Sequence, residues 1–277
     1  MRVHLGGSSR ASLVRVRAAL DGAVKGVSSE TATSLSAELF FATDTLAGNI
    51  SLRRALTDPS RDSESKIALV KEIFSKVLGA PALGLMTTLS TLRWSSSGDL
   101  VPVVEQLAIE AEASAANIAN ELDRVEAELF TMSQSIADSF ELRKALNTLG
   151  ADEAKISLTQ ELLRSASPST SRLVAHLVTH LRGRSIEGAF HDYLFALAAR
   201  RDRVIAHVRV AAEISSAQRE RLIGALTKQV GQPVSVNIEI DPSVIGGVSV
   251  KFADELVDGT MSRRLAGAGR ILAGQKN

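Results

Sequence analysis

Residues 245–265 read IGGVSVKFADELVDGTMSRRL. A Gly pair, Gly246-Gly247, opens an alternating run, Val248-Ser249-Val250-Lys251-Phe252. Its apolar positions 248, 250 and 252 fall on one face of an extended chain. Ala253, Asp254 and Glu255 interrupt the run, and Leu256-Val257 resume it before Asp258-Gly259. Two short extended runs with a polar break between them read as a β-hairpin. Asp258-Gly259 is a turn signal, because Gly adopts positive φ at little cost. Thr260 stands where it can N-cap a closing helix, MSRRLAGAGRIL.

Two more alternating runs precede this stretch, VIAHVRV at 204–210 and VSVNIEI at 234–240. Between them 216–230 reads as a helix ending at Gly231, and Asp241-Pro242 turns the chain. The tail, 204–277, is therefore expected to be a small α/β unit. Everything before Tyr193 reads as helix. Leu13, Val16, Leu20 and Val24 sit at helical spacing behind Ser8 or Ser9 as a cap. Further helices are expected over 31–47, 52–56, 63–78 and from Pro81 to Trp94, with Asp58-Pro59 ending the short one. The segment 103–149 contains neither Gly nor Pro, so it predicts one long helix with a break near Ser139. Residues 101–130 hold seven acids and one Arg, which predicts a strongly acidic surface.

The helical part repeats itself. Ala37-Glu38-Leu39-Phe40 recurs as Ala127-Glu128-Leu129-Phe130, and Leu52-Arg53-Arg54-Ala55-Leu56 as Leu142-Arg143-Lys144-Ala145-Leu146, both ninety positions on. Glu64, Lys66, Ile67, Leu69 and Glu72 match Glu153, Lys155, Ile156, Leu158 and Glu161 at an offset of eighty-nine, as Leu92-Arg93 match Leu181-Arg182. One residue lost in a loop explains the shift. The expected architecture is mainly α with a small α/β C-terminal unit. Two tandem related helical bundles, 1–100 and 101–203, precede the strand, hairpin and helix of 204–277.

Composition bounds the chemistry. The chain has 277 residues, room for roughly two domains. It is 45% hydrophobic but 4% aromatic, so the core must be aliphatic. A net charge of +1 argues against a polyanion binder. The absence of Cys excludes disulfides and thiolate metal sites. No apolar run approaches the roughly 18 residues needed to span a bilayer. The Arg-rich start has no acid before Asp21, which suits a transit peptide. The repeat gives that segment a structural place instead.

Four clusters could carry chemistry, and each has a plainer reading. His176 and His180 stand one turn apart, which is metal-ligand spacing, but Leu177 occupies the place of a general-base Glu. They read as boundary residues of a packed helix, and no metal is expected. Arg200, Arg201, Arg203 and His207 make a basic helix end, favourable beside the helix dipole. They come without the aromatic platform that single strands need. Gly246-Gly247 precedes a strand, whereas phosphate loops follow one and open a helix. Asp254, Glu255 and Asp258 have no His or Cys beside them and read as a turn cluster. No nucleophile with its base and no cofactor loop is legible, so the chain is expected to be non-catalytic and without cofactor.

The opening stretch resembles the C-terminal signature of the delta subunit of F-type ATP synthases, the oligomycin-sensitivity-conferring protein family. The carriers are Gly246-Gly247 entering a strand, the Asp258-Gly259-Thr260 turn, and Arg263, Arg264 and Leu265 on the closing helix. The family spaces its arginines R-x-R-L, while here they are adjacent. The usual member resembles 100–277, and the first hundred residues look like an added helical unit, as in actinobacterial relatives. The resemblance implies a stator subunit that ties the catalytic head to the peripheral stalk, on the cytoplasmic face of a bacterial plasma membrane, meeting the membrane only through the complex. It implies that helices of the head's large noncatalytic (alpha) subunits enter a groove walled by the helices around Leu107, Glu110 and Ala115 and around Leu173, Leu177 and Leu181. It also implies that the b subunit of the stalk meets the tail at the signature residues, and that nucleic acid is not a partner. A reading independent of the resemblance is a helical adaptor or nucleic-acid-associated scaffold.

Overall fold

The computed structural model describes residues 5–148, 150, 152–201, 205–210, 235–240, 248–252 and 255–258, with isolated residues between 215 and 225. The chain divides into two compact units, Met1–Arg200 and Arg201–Asn277.

The first unit is helical: α1 Gly7–Val24, α2 Ser29–Gly48, α3 Ile50–Thr57, α4 Ser63–Phe74, α5 Ala80–Thr91, α6 Leu100–Ile118, α7 Leu122–Asp138, α8 Phe140–Asn147, α9 Asp152–Leu162, α10 Pro168–Thr179 and α11 Ile186–Arg201. The long helix expected over 103–149 is broken twice. One break falls at the expected Ser139, whose side chain caps α8 by accepting the Leu142 amide at 3.2 Å. The other break, after α6, turns on Asn120, which adopts φ 58°. The Glu121 amide then reaches back to the Ala116 carbonyl at 2.8 Å. This 6→1 bond over a left-handed residue closes a helix end, and Asn is the residue other than Gly that tolerates it best. The start of α1 also differs from expectation. Its N-cap is Gly6, and Ser9 lies inside the helix, accepting the Ser95 amide at 2.9 Å and donating to Asp99 at 2.6 Å. A Cβ on Gly6 would lie 2.4 Å from that of Ser95, so only Gly fits there.

Helix α6 is the centre. Fifteen of its 19 residues are buried, among them Ala108, Ala111, Ala113, Ala115 and Ala116. A helix buried on nearly every side needs small residues where neighbours come close. α1, α2, α7 and α10 all pack against it, α2 most extensively.

The helices α1–α5 and α6–α10 follow the same order of lengths: 18, 20, 8, 12 and 12 residues against 19, 17, 8, 11 and 12. Matched residues also make matched contacts. Glu38 accepts the amide of Gly79, the N-cap of α5, at 2.9 Å; Glu128 accepts that of Ser167, the N-cap of α10, at 2.9 Å. Arg53 donates to the Ala47 carbonyl at 2.8 Å, and Arg143 to the Ala137 carbonyl at 2.6 Å. Lys66 and Lys155 are both buried.

In the second unit four strands, β1 Ile205–Val210, β2 Ser235–Ile240, β3 Val248–Phe252 and β4 Glu255–Asp258, form one sheet of order β2-β1-β3-β4. β1 and β2 are parallel with Ile205 opposite Ser235, while β3 runs antiparallel to β1 and to β4. Gly246, Gly247, Gly259, Arg263, Arg264 and Leu265, and the closing helix expected to carry the last three, lie outside the described residues.

The matched carboxylates give a first prediction. Glu38→Ala and Glu128→Ala should each cost about 1–2 kcal/mol in urea unfolding, because each leaves a helix-start amide without its partner. Burial alone would raise the Glu128 carboxyl, but the donors Thr170, Ser167 and Arg124 hold it below its ordinary value. A carboxyl lowered on folding contributes stability above its unfolded value and loses it as pH falls through the folded one. The Glu128→Ala deficit should therefore shrink as the solution is acidified below about pH 4.

Candidate partner-binding site: the seam of α2, α6 and α10

The residues expected to wall a partner groove belong to one buried core, whose α6 side is lined by a further helix. Leu107 on α6 and Leu173 and Leu177 on α10 are fully buried, Glu110 is 2% exposed, and Leu181 packs at the edge of the same core. That helix is α2. Ser29 donates to the Ala115 carbonyl at 2.9 Å and Ser36 to the Ala108 carbonyl at 2.8 Å, so α2 runs antiparallel along the expected wall. Phe40 then lies with its ring centre 3.9 Å from that of His176. α2 can lie this close because Ala32, Leu35, Ser36, Leu39 and Thr43 form its buried face.

The acidic surface expected over 101–130 is corrected as well. Three of its seven acids, Glu105, Glu110 and Glu112, are buried on α6. Each meets arginine from elsewhere. Arg17 on α1 grips Glu110 with Nε and Nη2, at 2.8 and 2.5 Å. Arg172 on α10 grips Glu112 likewise, at 3.0 and 2.5 Å. Arg182 and Arg184, in the turn between α10 and α11, both donate to Glu105, at 2.5 and 2.8 Å. Buried charges survive only when paired, and the guanidinium fork suits a carboxylate. Arg182 adopts φ 51°, a left-handed conformation that a non-Gly residue keeps only when its surroundings hold it. Its two ion pairs, to Glu105 and Asp44, supply that hold.

The electrostatics follow burial. Desolvation pushes the Glu110 carboxyl above its ordinary value although Arg17 and Arg200 oppose it. Desolvation also pulls Arg200 down to about 10, against Glu110. Arg200 donates to Asp21 at 2.6 Å, so this member of the basic helix end is engaged within the helical unit. Burial, with Glu105 nearby, raises the Tyr193 hydroxyl well above its usual range. His176 and His180 flank α10 as boundary residues, stacked with ring centres 4.4 Å apart, and both face Asp44 of α2. Asp258 is the last residue of β4.

A cleft of about 400 Å³ lies among α1, α6 and α11, with Leu13, Ile109 and the half-exposed Phe195 on its apolar side and Arg10 and His191 on its polar side. Sequence reading missed it, because its three walls come from helices ninety residues apart.

The Glu110 pair yields a second prediction. Arg17→Ala leaves a buried carboxylate without its main partner and should cost about 2–3 kcal/mol at pH 7.5. Glu110→Gln leaves Arg17, which can reach water, and should cost less. A carboxyl raised on folding favours the folded state most below its unfolded value and loses that contribution as pH rises. The Arg17→Ala deficit should therefore narrow as pH falls from 7.5 to 5, as thermal unfolding at the two pH values would read.

A profile of the ATP synthase delta (OSCP) subunit family matches residues 110–272. Three bacterial proteins called ATP synthase subunit delta align almost end to end. That of Streptomyces griseus is 40% identical over 96% of this chain and 99% of its own. That of Streptomyces coelicolor is 41% identical over 96% and 98%, and that of Kineococcus radiotolerans 36% identical over 97% and 98%. The chain therefore belongs to the ATP synthase delta (OSCP) subunit family and is a non-catalytic stator subunit of the F-type ATP synthase.

Proposed function

We propose that the chain ties the catalytic head of the synthase to its peripheral stalk, meeting the head's large noncatalytic (alpha) subunits through its helical part and the b subunit through 204–277. The observation that carries this is the family match, which runs from α6 through the tail. Among the described residues no helix is long and apolar enough to cross a membrane. Attachment to the cytoplasmic face of a bacterial plasma membrane then comes through the complex. The nucleic-acid scaffold reading has lost Arg200, which is paired with Asp21.

In this reading 1–100 and 101–203 are two copies of one helical unit, supported by the matched helix order and the Glu38 and Glu128 contacts. The head's site is the seam built on Leu107, Glu110, Leu173, Leu177 and Leu181, with apolar anchors at helical spacing as in helix-in-groove recognition. Because α2 lies along the α6 side of that seam, the head's helix competes with α2 for it. The stalk's site is the signature, Gly246, Gly247, Asp258, Gly259, Arg263, Arg264 and Leu265. A unit of about 70 residues buries an apolar stripe poorly by itself, so a stalk helix is its natural cover.

Two experiments test the assignment. A peptide of the alpha subunit's N-terminal helix should bind the full chain, and hydrogen exchange of α2 amides should rise when it does. Binding with α2 exchange unchanged would move the head contact elsewhere. Removing 260–277 should leave that binding and the helical circular dichroism intact. It should weaken binding of the b subunit's C-terminal segment at least tenfold, about 1.4 kcal/mol. A truncated chain that held the segment at full affinity would remove the signature from the stalk contact.

A further inference from the structure

We propose that the pocket beside Arg53, at the start of α6, receives a carboxylate group from outside the chain. Matched residues of the two halves point to it. Arg143 on α8 donates to the Ala137 carbonyl and sets its Nε 3.6 Å from the carboxylate of Glu187, in the first turn of α11. Arg53 on α3 makes the matching carbonyl contacts, to Leu46 and Ala47, at 2.7 and 2.8 Å. Both bonds use Nη1, and its Nε and Nη2 meet no acceptor among the described residues.

The position that answers to Glu187 is Gly98. Leu92-Arg93 and Leu181-Arg182 set the offset at eighty-nine just before it. Ser96 and Ser185, at the same offset, play the same part: they accept the amides of Gly98 and Gly188, each at 3.1 Å. The short turn Ser97–Asp99 packs on α3, as the first turn of α11 meets α8 through the Arg143 pair. The carboxylate that serves the arginine of the second half is therefore missing from the first.

A pocket of about 330 Å³ lies there, and Gly98 and Val101 are part of its lining. Three arginines, Arg53, Arg182 and Arg184, line it against one acid, Glu105. Glu105 is engaged by Arg182 and Arg184, which also hold Asp44 and Asp192. Arg53 is thus the lining guanidinium without an acid among the described residues. The start of α6 adds to the attraction. Its N-cap residue, Asp99, accepts from the Ser9 hydroxyl and caps no amide of the first turn. A carboxylate suits both a guanidinium fork and the amide end of a helix. An acidic side chain of another protein and a free dicarboxylate share this chemistry.

Gly98 offers an internal test. A Cβ there meets nothing closer than the Ser96 hydroxyl at 3.5 Å, so a side chain fits. Gly98→Glu should supply the missing carboxylate and melt about 2 °C above Gly98→Gln, the scale of one exposed ion pair in a chain of this size. The gap should close when Arg53→Gln is added to both. The direct test titrates the isotope-labelled full chain at pH 7.5 and constant ionic strength with glutarate, and separately with acetyl-Ala-Glu-Ala-amide. The Val101 amide and the arginine Nε–H signals are followed by nuclear magnetic resonance. The parent chain should show saturable shifts, and Arg53→Gln and Gly98→Glu should each weaken binding at least about tenfold. Arg143→Gln, whose arginine already has Glu187, should bind as the parent does. Tighter binding of the peptide would assign the pocket to a side chain of another protein, and tighter binding of glutarate to a free carboxylate. No saturable shift in the parent chain, undiminished binding in folded Arg53→Gln and Gly98→Glu, or a melting gap that survives Arg53→Gln would overturn the proposal.

Discussion

Three carboxylates that cannot reach water decide how this protein is assembled. Glu105, Glu110 and Glu112 lie on the buried helix α6, and each must meet a guanidinium. The partners are Arg17 on α1, Arg172 on α10, and Arg182 and Arg184 in the turn after α10. Such pairs add little net stability over apolar residues of the same size, but a misplaced partner is costly. Their effect is to fix register. Ala-rich helices pack almost equally well when slid by a turn, and a guanidinium that holds one carboxylate oxygen with two nitrogens at 2.5–3.0 Å does not.

That constraint bears on the chain's work. A stator subunit performs no chemistry; it has to transmit load without letting its helices slip. α6 is suited to this. It is enclosed by close-packed aliphatic side chains and pinned by charge to the helices before and after it. The pins run between residues as far apart in sequence as Arg17 and Glu110, or Asp44 and Arg182, so the first five helices and the next six hold one another in register. Pulling α6 along its axis would break several charge-assisted bonds together.

Much of this was legible from the residues. Helical spacing of Leu and Val marks the helix order, Ser139 marks one break, and the offset of ninety pairs Glu38 with Glu128, which make matched amide contacts. The break at Asn120 was not anticipated, because sequence marks a helix end most clearly with Gly or Pro and an Asn in the same backbone state looks like any polar residue. The burial of Glu105, Glu110 and Glu112 was misread as an acidic surface. Their arginines stand sixty to ninety-three positions away, and no local pattern reports a partner at that distance. Leu107, Leu173 and Leu177 belong to one buried core, and their role as a groove remains a reading from the resemblance. What the sequence hid was that α2 lies along α6. The signature residues of the tail, Asp258 apart, remain a reading from sequence.

Similar residues in the two halves have different surroundings. Phe40 and Phe130 close the same four-residue block, yet Phe40 is 9% exposed and Phe130 is 56% exposed. Phe40 lies on α2, which packs along α6 and meets α10 through His176. Phe130 lies on α7, which among the described residues packs with α6, α8 and α10 and has no helix laid along it as α6 is laid along α2. Burial at this position therefore follows from the contact that α10 makes with Phe40 through His176. A repeated sequence thus yields an unequal pair of surfaces. The same inequality explains why the seam of α2, α6 and α10 gathers charge. Asp44 stands where the second half has Gln134, and it is Asp44 that draws His176, His180 and Arg182 across from the other half.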